Sequence, residues 1–164
     1  MNILEIKNRF EVTNHDLTFE SLLTDYPELS EELDGKSVII LPSHGSDDSF
    51  YAGSLDTLDY LNDNGVVTDI YATDEDYKEL GLHGADIWLG TFFIKNFVIP
   101  IFCSVVAAYV YDKLKAKKDD KISLQFIVEN KDGKSTSVSY EGKVENLEKA
   151  INAVKEVDSE VDHK

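Results

Sequence analysis

Cysteine is nearly absent from this chain, as are positive charge in its first half and the short signatures of catalysis. One cysteine, Cys103, in 164 residues excludes an intrachain disulfide. A reducing, cytoplasmic setting is the natural expectation. Cys103 sits in an apolar run with no nearby His, so it reads as a small hydrophobe and not as a nucleophile. No GxSxG, Walker A, GxGxxG, HExxH or CxxC pattern occurs, so the reading is non-enzymatic, with no cofactor. The start, MNILEIKNRFEV, lacks the long apolar run of a secretory leader, and neither end carries a lipidation motif.

Bases are scarce where acids are dense. Residues 1–85 hold 19 acids and 4 bases, net −15, whereas residues 86–164 hold 13 acids and 12 bases, net −1. Such a first half repels phosphates, so direct nucleic-acid binding is not expected. An acidic surface keeps a protein soluble, meets a basic partner, or imitates a phosphate backbone in the manner of an inhibitor or immunity protein. Solubility is the first of these readings.

Against these absences stands one long apolar stretch, Ile87–Tyr111, IWLGTFFIKNFVIPIFCSVVAAYVY, whose only charge is Lys95. Its length predicts a central apolar helix over 87–116, about 1.5 Å per residue long. Pro100 inside it predicts a kink or break. Ser104, Ala107 and Ala108 form a small-residue patch that another element can approach closely. The window 92–110 is apolar enough to span a bilayer, with Lys95 snorkelling and Lys113, Lys115, Lys117 and Lys118 on the cytoplasmic side. That topology would export an acidic folded half. A rod covered by its own chain or by a partner is the preferred reading. Trp88, Phe92, Phe93, Phe97, Ile101, Phe102, Tyr109 and Tyr111 are its candidate anchor residues.

Around the stretch the pattern alternates. Ile3–Ile6 reads as a short strand. Phe19, Leu22, Leu23, Tyr26, Leu29 and Leu33 recur at helical spacing, split by Pro27 into two pieces. Ser37–Leu41 reads as a strand buried on both faces, Ser54–Asn64 as a helix stopped at Asn64-Gly65, and Val66–Ala72 as a second strand. Thr73-Asp74-Glu75-Asp76 resembles a capping box and predicts a short helix to about Leu80. Ala85–Leu89 is either a third strand or the entry to the apolar helix. Lys121–Glu129 alternates, Asp132-Gly133 is a hairpin turn, Ser135–Tyr140 is the returning strand, and Val144–Val157 is an amphipathic helix before a frayed tail, 158–164. The fold class is therefore α/β (or α+β). It comprises a small parallel α/β unit, then a long apolar helix, then a C-terminal β-hairpin plus helix. Composition divides the chain into an acidic α/β unit with the apolar helix, 1–118, and a strand-strand-helix appendage, 119–164, packed on the same core.

Two loops hold groups that could bind a ligand. His44, Asp47 and Asp48 follow the buried strand, and Asp74 follows the next one. In an open α/β sheet both would lie at the carboxyl edge, where ligands bind. A His with three carboxylates can hold a divalent metal, though loops are rich in Ser, Asp and Gly in any case, and no metal is expected on this showing. His83 and Asp86 have no partner at metal spacing.

From the apolar segment onward, a basic patch, the hairpin KISLQFIVENKDGKSTSVSY and a short helix follow in turn. This order is similar to small accessory proteins encoded beside effectors in prokaryotic conflict systems. The resemblance covers about residues 87–155 and implies a bacterial accessory or adaptor component, with no residue role to carry over. The functional expectation is a non-enzymatic interaction or adaptor module that binds a protein partner or itself. The alternatives are a membrane-attached anchor and an acidic inhibitor.

Overall fold

The structure is a computed structural model, and it describes residues 9–42, 49–80 and 86–162. The chain begins with β1 (Arg9–His15), α1 (Phe19–Asp25), a 3-10 turn at Pro27–Leu29 and α2 (Ser30–Leu33). Then come β2 (Val38–Leu41), β3 (Ser49–Tyr51), α3 (Ser54–Asp63), β4 (Thr68–Ile70) and β5 (Lys78–Leu80). The second half holds β6 (Ile87–Lys95), α4 (Ile99–Ala108), β7 (Lys121–Glu129), β8 (Ser135–Lys143) and α5 (Leu147–Asp162). A 3-10 turn, Asn96–Val98, leads into α4, and a π-helical turn, Tyr109–Lys113, leads out.

Six strands form one mixed sheet in the order β1-β8-β7-β6-β2-β4, and β3 pairs with β5 in a separate two-stranded piece. β2 and β4 are parallel, joined through α3, and β6 and β7 are parallel, joined through α4. β2 with β6, β7 with β8 and β1 with β8 are antiparallel. The mixed α/β class and the C-terminal hairpin plus helix are as the sequence predicts. The change of composition at 117–121 falls between α4 and β7, and the strands on either side of it hydrogen-bond within the one sheet.

One face of the sheet carries α3, α4 and α5 over a core that includes Phe92, Ile94, Phe102, Phe126, Val138, Leu147 and Val154. On the other face α1 and α2 cover only the part around Ile39, Leu41, Phe93 and Ile127, using Leu22, Leu29 and Leu33. Alternation in β7 and β8 follows from this. Leu124 and Phe126 face the large core, while Ser123, Gln125, Ser137 and Ser139 face the thinly covered side. α1 is anchored at both ends. Thr18 caps it through the Ser21 N–H, the Glu129 carboxylate accepts from the Phe19 N–H at 3.0 Å, and Tyr71 donates its hydroxyl to the Leu22 carbonyl. Lys95 lies 3.6 Å from the centre of the Phe19 ring, a cation–π contact that ties β6 to α1.

Four element expectations are corrected. The apolar helix over 87–116 is a strand followed by a helix. Ile87–Lys95 is the inner strand β6, flanked by β2 and β7, and a strand buried on both faces shows no alternation to betray it. Pro100 makes no kink, because the helix starts late and the proline occupies its first turn, where its missing N–H costs nothing. Thr73 begins one helical turn, closed by the Asp76 and Tyr77 N–H groups on the Thr73 carbonyl, and the chain then extends into β5. Tyr77 stacks on Phe50 at 5.3 Å, a tertiary contact that outweighs the local capping pattern. The frayed tail is helical as far as Asp162. The strand expected at Ile3–Ile6 lies outside the described residues, and β1 had no counterpart in the sequence reading.

Candidate interaction surfaces

α4 presents two unlike faces. Ile99, Phe102, Cys103 and Val106, continued by Tyr109 and Val110 of the π turn, are buried in the large core. Burial pushes the Cys103 thiol up to about 11, which leaves it protonated and unreactive at neutral pH. Tyr109 lies 5.0 Å from Tyr60, and its hydroxyl is hydrogen-bonded with Thr57. The helix is wedged between α3 and α5. Its outward side carries Ile101, Ser104 and Ala108 and is continued by Phe97 of the 3-10 turn before it and Tyr111 of the π turn after it, at spacings of four, three, four and three residues. This is the seam spacing of a helix that packs against another helix. Phe97 is 69% exposed, Ile101 53% and Tyr111 38%. At the helix end Lys113, Lys115, Lys117 and Lys118 are exposed, and Lys115 closes the helix in a left-handed conformation, φ 54°.

The eight candidate anchor residues therefore divide. Phe92, Phe93, Phe102 and Tyr109 are consumed by the protein's own core and cannot meet a partner. The sequence reading named all eight as anchors of a rod covered by its own chain or by a partner, and for these four the cover is the chain itself. An inner strand and the inner side of a helix are as apolar as a docking stripe, so the pattern alone does not separate them. Trp88 is half-buried, 5.6 Å from Tyr51. Phe97, Ile101 and Tyr111 remain available.

Most of the ligand edge read from sequence falls outside the described residues. His44, Asp47 and Asp48, with His83, lie outside them, and Asp74 is exposed. Among the described residues no group of three His, Cys, Asp or Glu side chains is placed to hold a metal ion. A cavity of about 270 Å³ does open nearby, between the start of α3, the start of β6 and the end of α4. Asp56, Thr57, Asp86, Trp88 and Tyr109 line it. It offers two carboxylates and a tyrosine whose hydroxyl is already engaged by Thr57, and its described lining sets no nucleophile beside a base.

Sequence reasoning missed the edge strand β1. Six of its seven residues are exposed, and among the described residues its outer side has no neighbouring strand. The signal was the alternation Phe10, Val12 between polar residues, too short to stand out beside the stronger helix pattern that follows it. Next to β1, on the thinly covered face, Thr91, Ser123, Gln125 and Ser139 floor a trough of about 290 Å³.

No protein-family model matches this chain, and neither does any curated protein or solved structure.

Proposed function

We propose that this protein is a non-enzymatic interaction module whose docking face is the outward side of α4. The observation that carries the reading is the exposure of Phe97 and Ile101, 69% and 53%, on a helix whose opposite side is core. Full burial of such a side chain is worth about 1.5–3 kcal/mol, so two or three of them make a hot spot. The occupant is a partner helix. Large residues at Phe97, Ile101 and Tyr111 flank a waist of Ser104 and Ala108, which admits a second helix closely. The exposed lysines from Lys113 to Lys118 then favour acidic residues on the partner at that end. The exposed acids of the first half, such as Glu31, Glu32, Asp56 and Asp59, serve solubility and repel wrong partners.

A bilayer is the competing occupant. Asn96–Lys113 is long and apolar enough to cross a membrane by length and composition. Its inner side is packed on the sheet, and 39% of the segment is buried. Residues 92–95 of the span expected over 92–110 belong to β6. The remaining outward stripe is narrow and interrupted by Ser104, which suits a helix better than lipid.

The test is a Phe97→Asp/Ile101→Asp double variant, first checked for an unchanged melting curve. Partners that co-purify with the wild type are identified, made pure and titrated back. The reading expects binding that the double variant weakens at least about a hundredfold and that added salt weakens further. Flotation with phosphatidylcholine/phosphatidylserine vesicles supplies the other arm. Flotation of the wild type but not the variant assigns the face to lipid and overturns the helix reading. Indifference of every reconstituted partner to the substitutions overturns it as well.

A further inference from the structure

Across the thinly covered face of the sheet the register lines polar residues up in rows. Thr91, Gln125, Ser139 and Glu11 stand side by side on β6, β7, β8 and β1, about 4.8 Å from strand to strand. In the next row Ser123, Glu141 and Arg9 do the same. On the other side of Thr91 the row is Phe93 and Ile127, covered by α1 and α2, so the polar floor ends there. Over this floor lies the trough of about 290 Å³, walled by Tyr51, whose ring is 5.6 Å from Trp88. Thr91 and Ser123 set it apart from an ordinary solvated sheet face. They are 8% and 5% exposed, so more than nine-tenths of each is already out of water. Among the described residues no hydrogen bond reaches either hydroxyl, and both side chains line the trough. Hydroxyls so far buried ordinarily have partners. Gln125 is held beside them by its amide, which donates to the Ser137 hydroxyl at 2.8 Å and keeps its carbonyl oxygen as an acceptor.

We infer that this trough is a binding site for a small neutral sugar, held by hydroxyl-to-hydroxyl hydrogen bonds on the floor of Thr91, Ser123, Gln125 and Ser139. The lining selects the class. Its charged groups, Arg9 and Glu141, lie at the β1 end together with Glu11. Arg9 is 3.6 Å from Glu11 and opposite Glu141 in the register, so the three offset one another down to one negative charge. An anion meets that charge and the −16 of the whole chain. A cation seated on the floor finds hydroxyls and an amide but no counter-charge, and burying it there is costly. An apolar ligand leaves the Thr91 and Ser123 hydroxyls without partners. Sugar hydroxyls both donate and accept, as the floor hydroxyls do, and at the rim they can accept from Arg9 or donate to Glu141. The volume sits at the lower end of ligand pockets, about 300 Å³, which limits the occupant to one or two sugar rings. This site lies on the opposite face of the sheet from α4 and is separate from the docking face proposed there.

Amide NMR of the isotope-labelled full chain tests the inference. The probes are glucose, galactose, mannose, maltose and lactose, each titrated to about 50 mM. At least one should give saturable shifts with a Kd of about 0.1–10 mM, centred on Thr91, Ser123, Gln125 and Ser139. Thr91→Val, which keeps the shape of the side chain, and Ser123→Ala should each weaken that binding about three- to tenfold. Thr91→Ser, which keeps the hydroxyl, should bind as the wild type does, and this separates a lost hydroxyl from a lost fold. Glucosamine and glucuronate carry charges of opposite sign and should bind no more tightly than the neutral sugars. Phe97→Asp/Ile101→Asp should leave sugar binding unchanged, so this site and the α4 face fail or stand independently. Absence of saturable shifts with every one of these sugars overturns the inference. So do shifts centred elsewhere, wild-type affinity in both Thr91→Val and Ser123→Ala, or a charged sugar that outbinds the neutral ones.

Discussion

Phe102 and Phe97 are five residues apart and lie in opposite surroundings. The Phe102 ring is 5.7 Å from Phe92 and 5.4 Å from Phe126, and none of the three is more than 1% exposed. Phe102→Ala should cost about 3–5 kcal/mol, read as a lower urea midpoint at unchanged slope. Phe97→Ala should stay within about 0.5 kcal/mol. Equal losses at both positions would refute the two-faced helix. Cys103 gives a pH prediction. As an acid, its thiol rises in the fold from 9.0 to about 11, driven by burial. The stability gained by keeping it protonated is whole below pH 9 and is lost as pH climbs from 9 through about 11. Tyr71, Tyr109 and Tyr140 are also raised by burial and add to the same alkaline loss. Cys103→Ala should flatten part of that limb. In the wild type at pH 8, a thiol reagent should react slowly until urea is added. Fast reaction in the native protein would contradict the burial.

Among the elements, those with an exposed face were legible in sequence. β7 and β8 alternate because α5 covers one side only, and their turn follows Asp132-Gly133, where Gly133 sits at φ 84°. α1 and α2 were legible as two pieces because Pro27 opens the turn between them. The run 87–111 was not legible. Within β6, Leu89–Ile94 are buried without alternation, and the helix has an apolar outer stripe, so no polar residue of the helix except Ser104 marks a phase. The cues present were Lys95-Asn96, where strand gives way to turn, and Pro100 as a helix-start residue. The large residues of the candidate surface, Phe97, Ile101 and Tyr111, were therefore named in a set that also contained core residues. Pro100→Ala follows from this placement. It should change stability by less than about 1 kcal/mol, measured by thermal melting, because the proline breaks no helix bond where it stands. A gain of several kcal/mol would mean that it strains the helix interior.

For the molecule as a whole, repulsion among acids is the dominant long-range force. The formal charge is −16. The exposed ion pairs Arg9–Glu11 at 3.6 Å and Lys143–Asp119 at 4.0 Å offset little of it. Raising sodium chloride from about 0.01 to about 0.5 M shortens the screening length and should raise the melting temperature by a few degrees. A fall would show that attractive pairs outweigh the repulsion. The arrangement of the sheet also bears on how the chain is made. β6 takes β2 on one side and β7 on the other, yet β2 precedes it and β7 follows it in sequence. A growing polypeptide therefore leaves the ribosome with Phe92, Phe93 and Ile94 extended beside β2 and no strand on the far side, for the seconds needed to translate through Glu129. Throughout that interval the nascent molecule carries a sticky hydrophobic flank. A chain released early, after Lys118, should precipitate or remain bound to a chaperone.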